Sequence, residues 1–393
     1  APFAFLGELL NISDSLIKIP LLIADLGILY VLLKFFPRKV KKIYLFYFLN
    51  PIILYAIYIH SQLDIIPTAL FFISVYMLRL KKIKLSALFF GFALATKLHV
   101  IIALPLILIY LYKVIDFNAI IKYTLIAFLV LFLIDLPFLF SDGFIHMVLL
   151  NPKQSLIFDA FYNIGSVKLL FPVFAILMIY LHFFNQKKVN QDLLFFYFGI
   201  LFTSTIFFIY PGPAWYVWMI PFISIYFIQN KNKNKALVLH FTFSFSYLLF
   251  IIFFYESEYV DILFLGDPVD LKIKNENLKN ISFTFLELFL VSIMYAFYKY
   301  GIKSNSIYNI KTNLSIGIGG DSAVGKTSLL NNLKDILGNR VLQIEGDGEH
   351  KWERGNENWK KYTHLDPKAN YMHKQADVIN KGIIGARKED IQK

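Results

Sequence analysis

Apolar runs long enough, or nearly long enough, to cross a bilayer recur along this chain as far as Tyr300. A helix needs ~20 such residues to span a hydrocarbon core. No water is available there to hydrogen-bond the backbone, so each crossing run must be a helix that satisfies its own N–H and C=O groups. Eleven runs are readable, at residues 19–36, 43–59, 65–78, 85–96, 100–112, 123–140, 167–184, 193–209, 215–228, 236–255 and 283–298. The third to fifth are short enough to be tilted, broken or re-entrant.

Composition agrees with a bilayer. Of 393 residues, 57% are hydrophobic and 17% are charged, whereas soluble domains are about one quarter charged. Phe, at 42 residues, and Tyr, at 24, suit lipid-facing and interfacial helix surfaces. The absence of Cys excludes disulfides and thiolate metal sites. The net charge of +12 reflects basic loops beside anionic lipid rather than nucleic-acid binding, because Lys and Arg cluster between apolar runs.

The loops give an orientation. Arg38, Lys39, Lys41 and Lys42 fill the first; Arg79, Lys81, Lys82 and Lys84 fill the third. Lys113 and Lys122, Lys187 and Lys188, and Lys231, Lys233 and Lys235 occupy later odd loops, while the short even loops are poor in positive charge. The positive-inside rule places odd loops in the cytoplasm, and with eleven spans the segment after Tyr298 lies there too. The expectation is an integral protein of the plasma membrane. The chain opens at Ala1 without a basic n-region and stops at Lys393 soon after a new motif begins, so it reads as a fragment of a longer protein.

Residues 1–300 thus read as a polytopic α-helical membrane domain, 301–312 as a polar linker, and 313–393 as an incomplete α/β P-loop NTPase domain. Residues 314–319 (LSIGIG) are predicted as a buried strand, 326–337 as a helix and 341–345 as a second strand. Between the first two lies Gly320-Asp321-Ser322-Ala323-Val324-Gly325-Lys326-Thr327, followed by Ser328, a full G-x-x-x-x-G-K-[ST] match. Glycines let consecutive N–H groups converge on phosphate oxygens, and the following helix presents its positive dipole end. Lys326 is placed to reach the β- and γ-phosphates of ATP, and Thr327 to ligate Mg²⁺. Downstream, Asp347 follows the second strand, where a carboxylate can accept a proton from a substrate hydroxyl. His350 and Arg354 are spaced to hold an anionic or polyhydroxylated acceptor. The same three residues equally suit a surface ion pair beside a solvated histidine.

IGIGGDSAVGKTSLL, EGDGEHKWERG and HLDPKAN together resemble the opening of the phosphoribulokinase/uridine kinase family. The resemblance covers about the last 80 residues. It implies ATP-dependent phosphoryl transfer to a small hydroxylated acceptor, with Asp347 as catalytic base and His350 and Arg354 touching that acceptor. Gly348-Glu349 departs from the aromatic usual in that turn, and the acceptor stays open between a pentose phosphate and a nucleoside.

In the membrane part, polar groups beside spans are informative because burying them in lipid is costly unless they work or are paired. Asn50-Pro51 interrupts the second run, Gln62 and Asp64 sit in a tight outer loop, and Lys97 and His99 fall between two short runs on the same side. Asp25 and Asp135 lie inside runs. Lys97 suits either snorkelling or a site. His99, His182 and His240 read as packed or interfacial, and Trp215, Tyr216 and Trp218 as an aromatic belt rather than a sugar platform.

LIKIPLLIADLGILYVLL, LNPIILYAIYIHSQLDIIPTALFF and GFALATKLHVIIALPLIL resemble GT-C type glycosyltransferases, which use polyprenyl-phosphate sugars. Lys18, Pro20, Asp25, Asn50-Pro51, Gln62, Asp64, Lys97 and Pro105 carry that resemblance. The family's acidic residue of the first outer loop would precede Ala1. The expected function is therefore a membrane-bound kinase fused to a glycosyltransferase-like domain, with Gln62, Asp64 and Lys97 lining a sugar-transfer cavity. The alternatives are a transporter, or a scaffold with a nucleotide-binding regulatory domain. ATP-driven transport additionally requires a signature motif and a Walker B strand.

Overall fold

The computed structural model describes residue 9 and residues 13–230, 232–255, 271–305, 316–320, 323–337, 350–353, 355–362, 366–374 and 376–377. The chain divides into two compact units, Ala1–Asn309 and Ile310–Lys393.

The first unit is helical. Phe117–Phe138, Lys233–Phe253 and Glu276–Lys303 are each long and apolar enough to cross a membrane. Val40–Phe48 and Pro51–Ile59 qualify together as a further span, bent by 42° where they meet. Ile65–Arg79, Ile83–Thr96, Leu98–Val114, Phe171–Phe184, Gln191–Phe207 and Ile220–Gln229 are shorter apolar helices. Ser13–Phe35 runs for 23 residues but carries Lys18, Asp25 and Lys34. By length and composition the unit is compatible with a membrane protein.

The run predicted at 167–184 starts differently. Phe161–Ile164 and Val167–Leu170 pair as an antiparallel hairpin, and the helix begins only at Phe171. Gly165, at φ +63°, leads the two-residue turn, and Pro172 sits in the first helical turn, where its missing N–H leaves no bond unmade. Phe is divided between two roles: Phe128, Phe132, Phe174, Phe241 and Phe285 are exposed on apolar helices, as a lipid-facing role requires, whereas others are core. Phe71, Phe198, Phe202 and Phe222 are buried and pack ring against ring at centroid separations of 5.0–6.1 Å. Edge-to-face, tilted and stacked contacts among these rings fill the space between helices.

Several helices are interrupted, and each interruption frees backbone carbonyls that other side chains take up. Tyr44–Phe48 and Leu54–Ile59 are π-helical on either side of the Asn50-Pro51 break. Pro51 has no N–H to give, and the Asn50 side chain accepts from the Ile52 N–H at 2.9 Å. Phe46 O receives the Asn50 amide at 3.3 Å and the Ser224 hydroxyl at 3.0 Å. Tyr180 donates to Ile102 O at 2.5 Å, and Tyr247 donates to Pro213 O at 2.8 Å.

The basic loops meet at one end of the unit. Lys39 and Lys42 both donate to Ile228 O, at 3.2 and 3.4 Å, and Lys42 also reaches Asn230 O. Lys113 donates to Phe184 O and Gln186 O. Both targets lie at helix C-termini, where unpaired carbonyls and the helix dipole favour a cation. At the same end the Arg79 guanidinium lies 4.7 Å over the Phe35 ring, and Gln191 donates to Leu78 O.

Ile65–Arg79 packs on Ile83–Thr96, which packs in turn on Phe117–Asp135. Buried Ser74 joins all three, meeting Ser86 Oγ at 3.1 Å and Tyr123 OH at 3.2 Å. Small residues permit this approach, as is usual between helices in lipid. A Cβ on Gly91 would stand 2.6 Å from Ala127 O and 2.7 Å from the Val130 side chain.

The second unit contains the helix Lys326–Leu337, with the bounds expected of it. Residues 316–320 form no strand, although 314–319 were predicted as one; a strand exists only by laddering with a neighbour. The neighbour predicted at 341–345, like residues 314 and 315, lies outside the described residues.

Gly91→Ala is expected to lower stability by ~1–3 kcal/mol, because the clash is with backbone and cannot be relieved by a rotamer change. Gly143, whose added Cβ would meet nothing within 4 Å, supplies the control. Thermal unfolding in detergent should show a lower midpoint for Gly91→Ala and an unchanged one for Gly143→Ala.

Candidate functional site

Three non-α segments come together in the first unit. The π-helical Leu54–Ile59 and the 3₁₀ segment Pro213–Trp218 pack on each other, and Ile65–Arg79 packs on both Pro213–Trp218 and the 3₁₀ segment Leu98–Ala103. Their sequences enforce this. Pro211, Gly212 and Pro213 forbid an α-helix at the start of one, and Pro105 closes the other. Lys97, extended at φ −161° and ψ 122°, separates Ile83–Thr96 from Leu98–Ala103.

Asp64 and Lys97 meet there. Lys97 Nζ lies 2.5 Å from Asp64 Oδ1, with Asp64 2% exposed and the Lys97 side chain 38% exposed. Trp218 Nε1–H donates to the same Oδ1 at 2.7 Å. The ammonium group also lies 5.6 Å from the Trp218 ring centroid and 5.8 Å from that of Trp215, within reach of a cation–π attraction. Trp215 stacks on Trp218 at 5.1 Å, and Trp218 stacks on His99 at 3.8 Å. A carboxylate removed from water needs both an opposite charge and donors, and Asp64 has them. Asp64 also anchors its helix, since Thr68 Oγ1 donates to its carbonyl at 2.7 Å.

Of the three residues expected to line a cavity, the fold thus joins Asp64 to Lys97. Gln62 is exposed in the same loop, and no hydrogen bond ties its side chain to the pair among the described residues. Trp218 is the partner that sequence reasoning assigned to an aromatic belt. It stands 154 positions from Asp64 in the chain, and the only local signal was a Pro-Gly-Pro break beside a Trp pair. His99 and His240 are packed as expected, His240 between Phe46 and Phe227, while His182 meets Tyr197 OH at 2.6 Å.

Asp25 forms a second buried cluster, accepting from Tyr47 OH at 2.7 Å and Tyr58 OH at 2.6 Å. The two tyrosines sit on the π-helical arms flanking Asn50-Pro51, so one carboxylate holds both sides of the break. An apolar groove of about 470 Å³ between Lys233–Phe253 and Glu276–Ala296 is lined by Phe241, Phe245, Phe285 and neighbours, and by none of these polar residues.

In the second unit, Gly320 and Ala323–Ser328 are described, whereas Asp321 and Ser322 lie outside the described residues. Ala323 and Gly325 both have positive φ, +69° and +85°, which turns the chain sharply into Lys326–Leu337. The glycine does this without a Cβ penalty, while the alanine is a non-glycine residue in the left-handed region. Lys326 lies back across the loop and donates to Gly320 O at 2.6 Å, and Thr327 and Ser328 are exposed in the first turn. His350 bridges to Asn370 through the backbone, which joins the GEHKW and LDPKAN segments. Its Nδ1 lies 2.9 Å from Trp352 O, and its ring packs 4.3 Å from Trp359. Asp366 caps the 3₁₀ turn Pro367–Ala369. Asp347 and Arg354, expected as base and acceptor contact, lie outside the described residues.

No protein-family model, curated protein or solved structure matches the chain.

Removing one member of the Asp64–Lys97 pair strands the other beside Trp218. A double-mutant cycle of Asp64→Asn and Lys97→Gln is expected to give a coupling energy of ~1–3 kcal/mol, with the double variant more stable than the summed singles imply. Unfolding of the four proteins in detergent measures it, and additive losses would show that the pair contributes nothing.

Proposed function

We propose that the chain is a membrane-bound transferase with two chemistries, a cytoplasmic ATP-dependent kinase and a glycosyltransferase-like membrane domain. The observation that carries the kinase reading is the loop turn. Two positive-φ residues lead directly into a helix N-terminus, with Lys326 folded over the loop. A nucleotide's β- and γ-phosphates would take the loop amides and the Lys326 ammonium, and Thr327 would hold Mg²⁺. Asp347 then accepts the proton of the acceptor hydroxyl as its oxygen bonds to the γ-phosphorus and ADP departs. His350 and Arg354 hold the small hydroxylated acceptor. The backbone bridge between the His350 and LDPKAN segments supports their sharing one site.

The membrane reading draws its support from the Asp64–Lys97–Trp218 cluster. Irregular backbone at membrane depth is tolerated where it is buried or lines a cavity, and two irregular segments, Leu98–Ala103 and Pro213–Trp218, adjoin this pair. A polyprenyl-phosphate sugar offers both an anion for Lys97 and hydroxyls for Asp64. The gathering of Lys39, Lys42, Arg79 and Lys113 at one end supports a cytoplasmic face there, in a plasma-membrane protein whose P-loop domain lies on that side.

In the full-length protein, Lys326→Ala should weaken ATP binding and turnover together. Asp347→Asn should leave ATP affinity nearly unchanged while the rate falls by ~10²-fold or more. Near-normal turnover of Asp347→Asn, measured by ADP release, would remove Asp347 as the base.

A reporter active only outside the cytoplasm, fused after Tyr300, is expected to stay silent. Activity there would reverse the orientation.

A further inference from the structure

We infer that Trp215, supported by Trp218 and His99 and flanked by Asp64 and Lys97, is a stacking platform for a pyranose ring. This rests on the glycosyltransferase reading and names the part of the substrate that the site holds.

The three rings form one stack. His99 lies beneath Trp218 with 16° between planes, and Trp218 lies beneath Trp215 with 17°. Trp218 is buried, 5% exposed, whereas Trp215 is half-buried, so the accessible end of the stack is Trp215, with the Lys97 ammonium 5.8 Å from its ring centroid. The middle ring is fixed by the Trp218–Asp64 bond, and Trp215 stacks on it. Preorganised rings of this kind bind without first losing side-chain freedom.

The polar groups beside the stack complete the argument. Both hydrogen bonds to Asp64 arrive at Oδ1, and Oδ2 has no partner among the described residues. Lys97 uses one of its three donors on Asp64 and remains partly exposed. A flat aromatic face, an acceptor and a donor therefore stand side by side. A pyranose has this pattern in reverse, with an apolar face of C–H groups and an edge of hydroxyls that both donate and accept. Other ligands fit less well. A quaternary ammonium would meet the Lys97 charge, and an acyl chain would leave the Asp64 carboxylate without a use.

The test uses the whole protein in a detergent without a sugar headgroup. Binding of a polyprenyl-phosphate hexose is compared with that of bare polyprenyl phosphate. Trp215→Leu should weaken the sugar lipid by about tenfold, Trp215→Tyr should retain it within about threefold, and bare lipid should bind all three proteins alike. Equal sugar-lipid affinity in wild type and Trp215→Leu would overturn the platform and leave the glycosyltransferase reading standing. Equal weakening of both lipids would also overturn it, since the contact would then be to phosphate or tail. Failure of the wild-type protein to bind the sugar lipid at all would remove the reading and the platform together. Acrylamide quenching of indole fluorescence gives the same decision without a variant: the sugar lipid should protect and the bare lipid should not.

Discussion

The first unit depends on one constraint: every backbone N–H and C=O placed among apolar side chains must find a partner inside the protein. Regular helix meets it automatically, and where helix is interrupted the structure shows the debt being met by particular atoms. Asn50 and Ser224 serve Phe46 O, Tyr180 serves Ile102 O, Tyr247 serves Pro213 O, and two lysines serve Ile228 O. Apart from the local Asn50 bond, these bonds cross between elements distant in sequence. They therefore fix which helices neighbour which, a task that uniform apolar packing performs poorly.

Interruptions that cost hydrogen bonds persist here where polar chemistry gathers. The break at Asn50-Pro51 stands between two tyrosines that share Asp25, and the segments around Lys97 and Trp218 bring a carboxylate, a cation and an aromatic stack into contact. A continuous α-helix through residues 97–103 or 213–218 would redirect these side chains. Departure from helix and assembly of the cluster are one arrangement. The loop before Lys326–Leu337 in the second unit shows a related feature on a smaller scale, with strained backbone at Ala323 turning the chain so that Lys326 comes back over it.

Much of this was legible in sequence, and the limits have physical causes. Apolar runs mark helices because length and hydrophobicity act locally, and Lys326–Leu337 carries its own start signal in Gly-Lys-Thr. The hairpin of Phe161–Ile164 and Val167–Leu170 was missed because Val167, Leu169 and Leu170 run on into the apolar helix that follows, and only Gly165 and Lys168 mark the strand off from it. Asp64 and Lys97 could be singled out as charges that lipid would not accept. Their shared partner Trp218 could not, since hydropathy windows carry no information about which runs become neighbours. The buried phenylalanines at 71, 198, 202 and 222 show the same gap, for hydrophobicity does not distinguish a face toward lipid from a face toward another helix.

Lys39 and Lys42 are at once members of a basic loop and the groups that close the carbonyl end of Ile220–Gln229. Lysines that the proposed orientation would place in a cytoplasmic loop are, in the fold, hydrogen-bond donors to a helix more than 180 residues away. On that proposal the topogenic charge and the tertiary cap would be the same ammonium groups. A neutral replacement at these positions would weaken the orienting bias of that proposal and would uncap a helix made much later in synthesis. An arginine would preserve the first function while changing the geometry of the second.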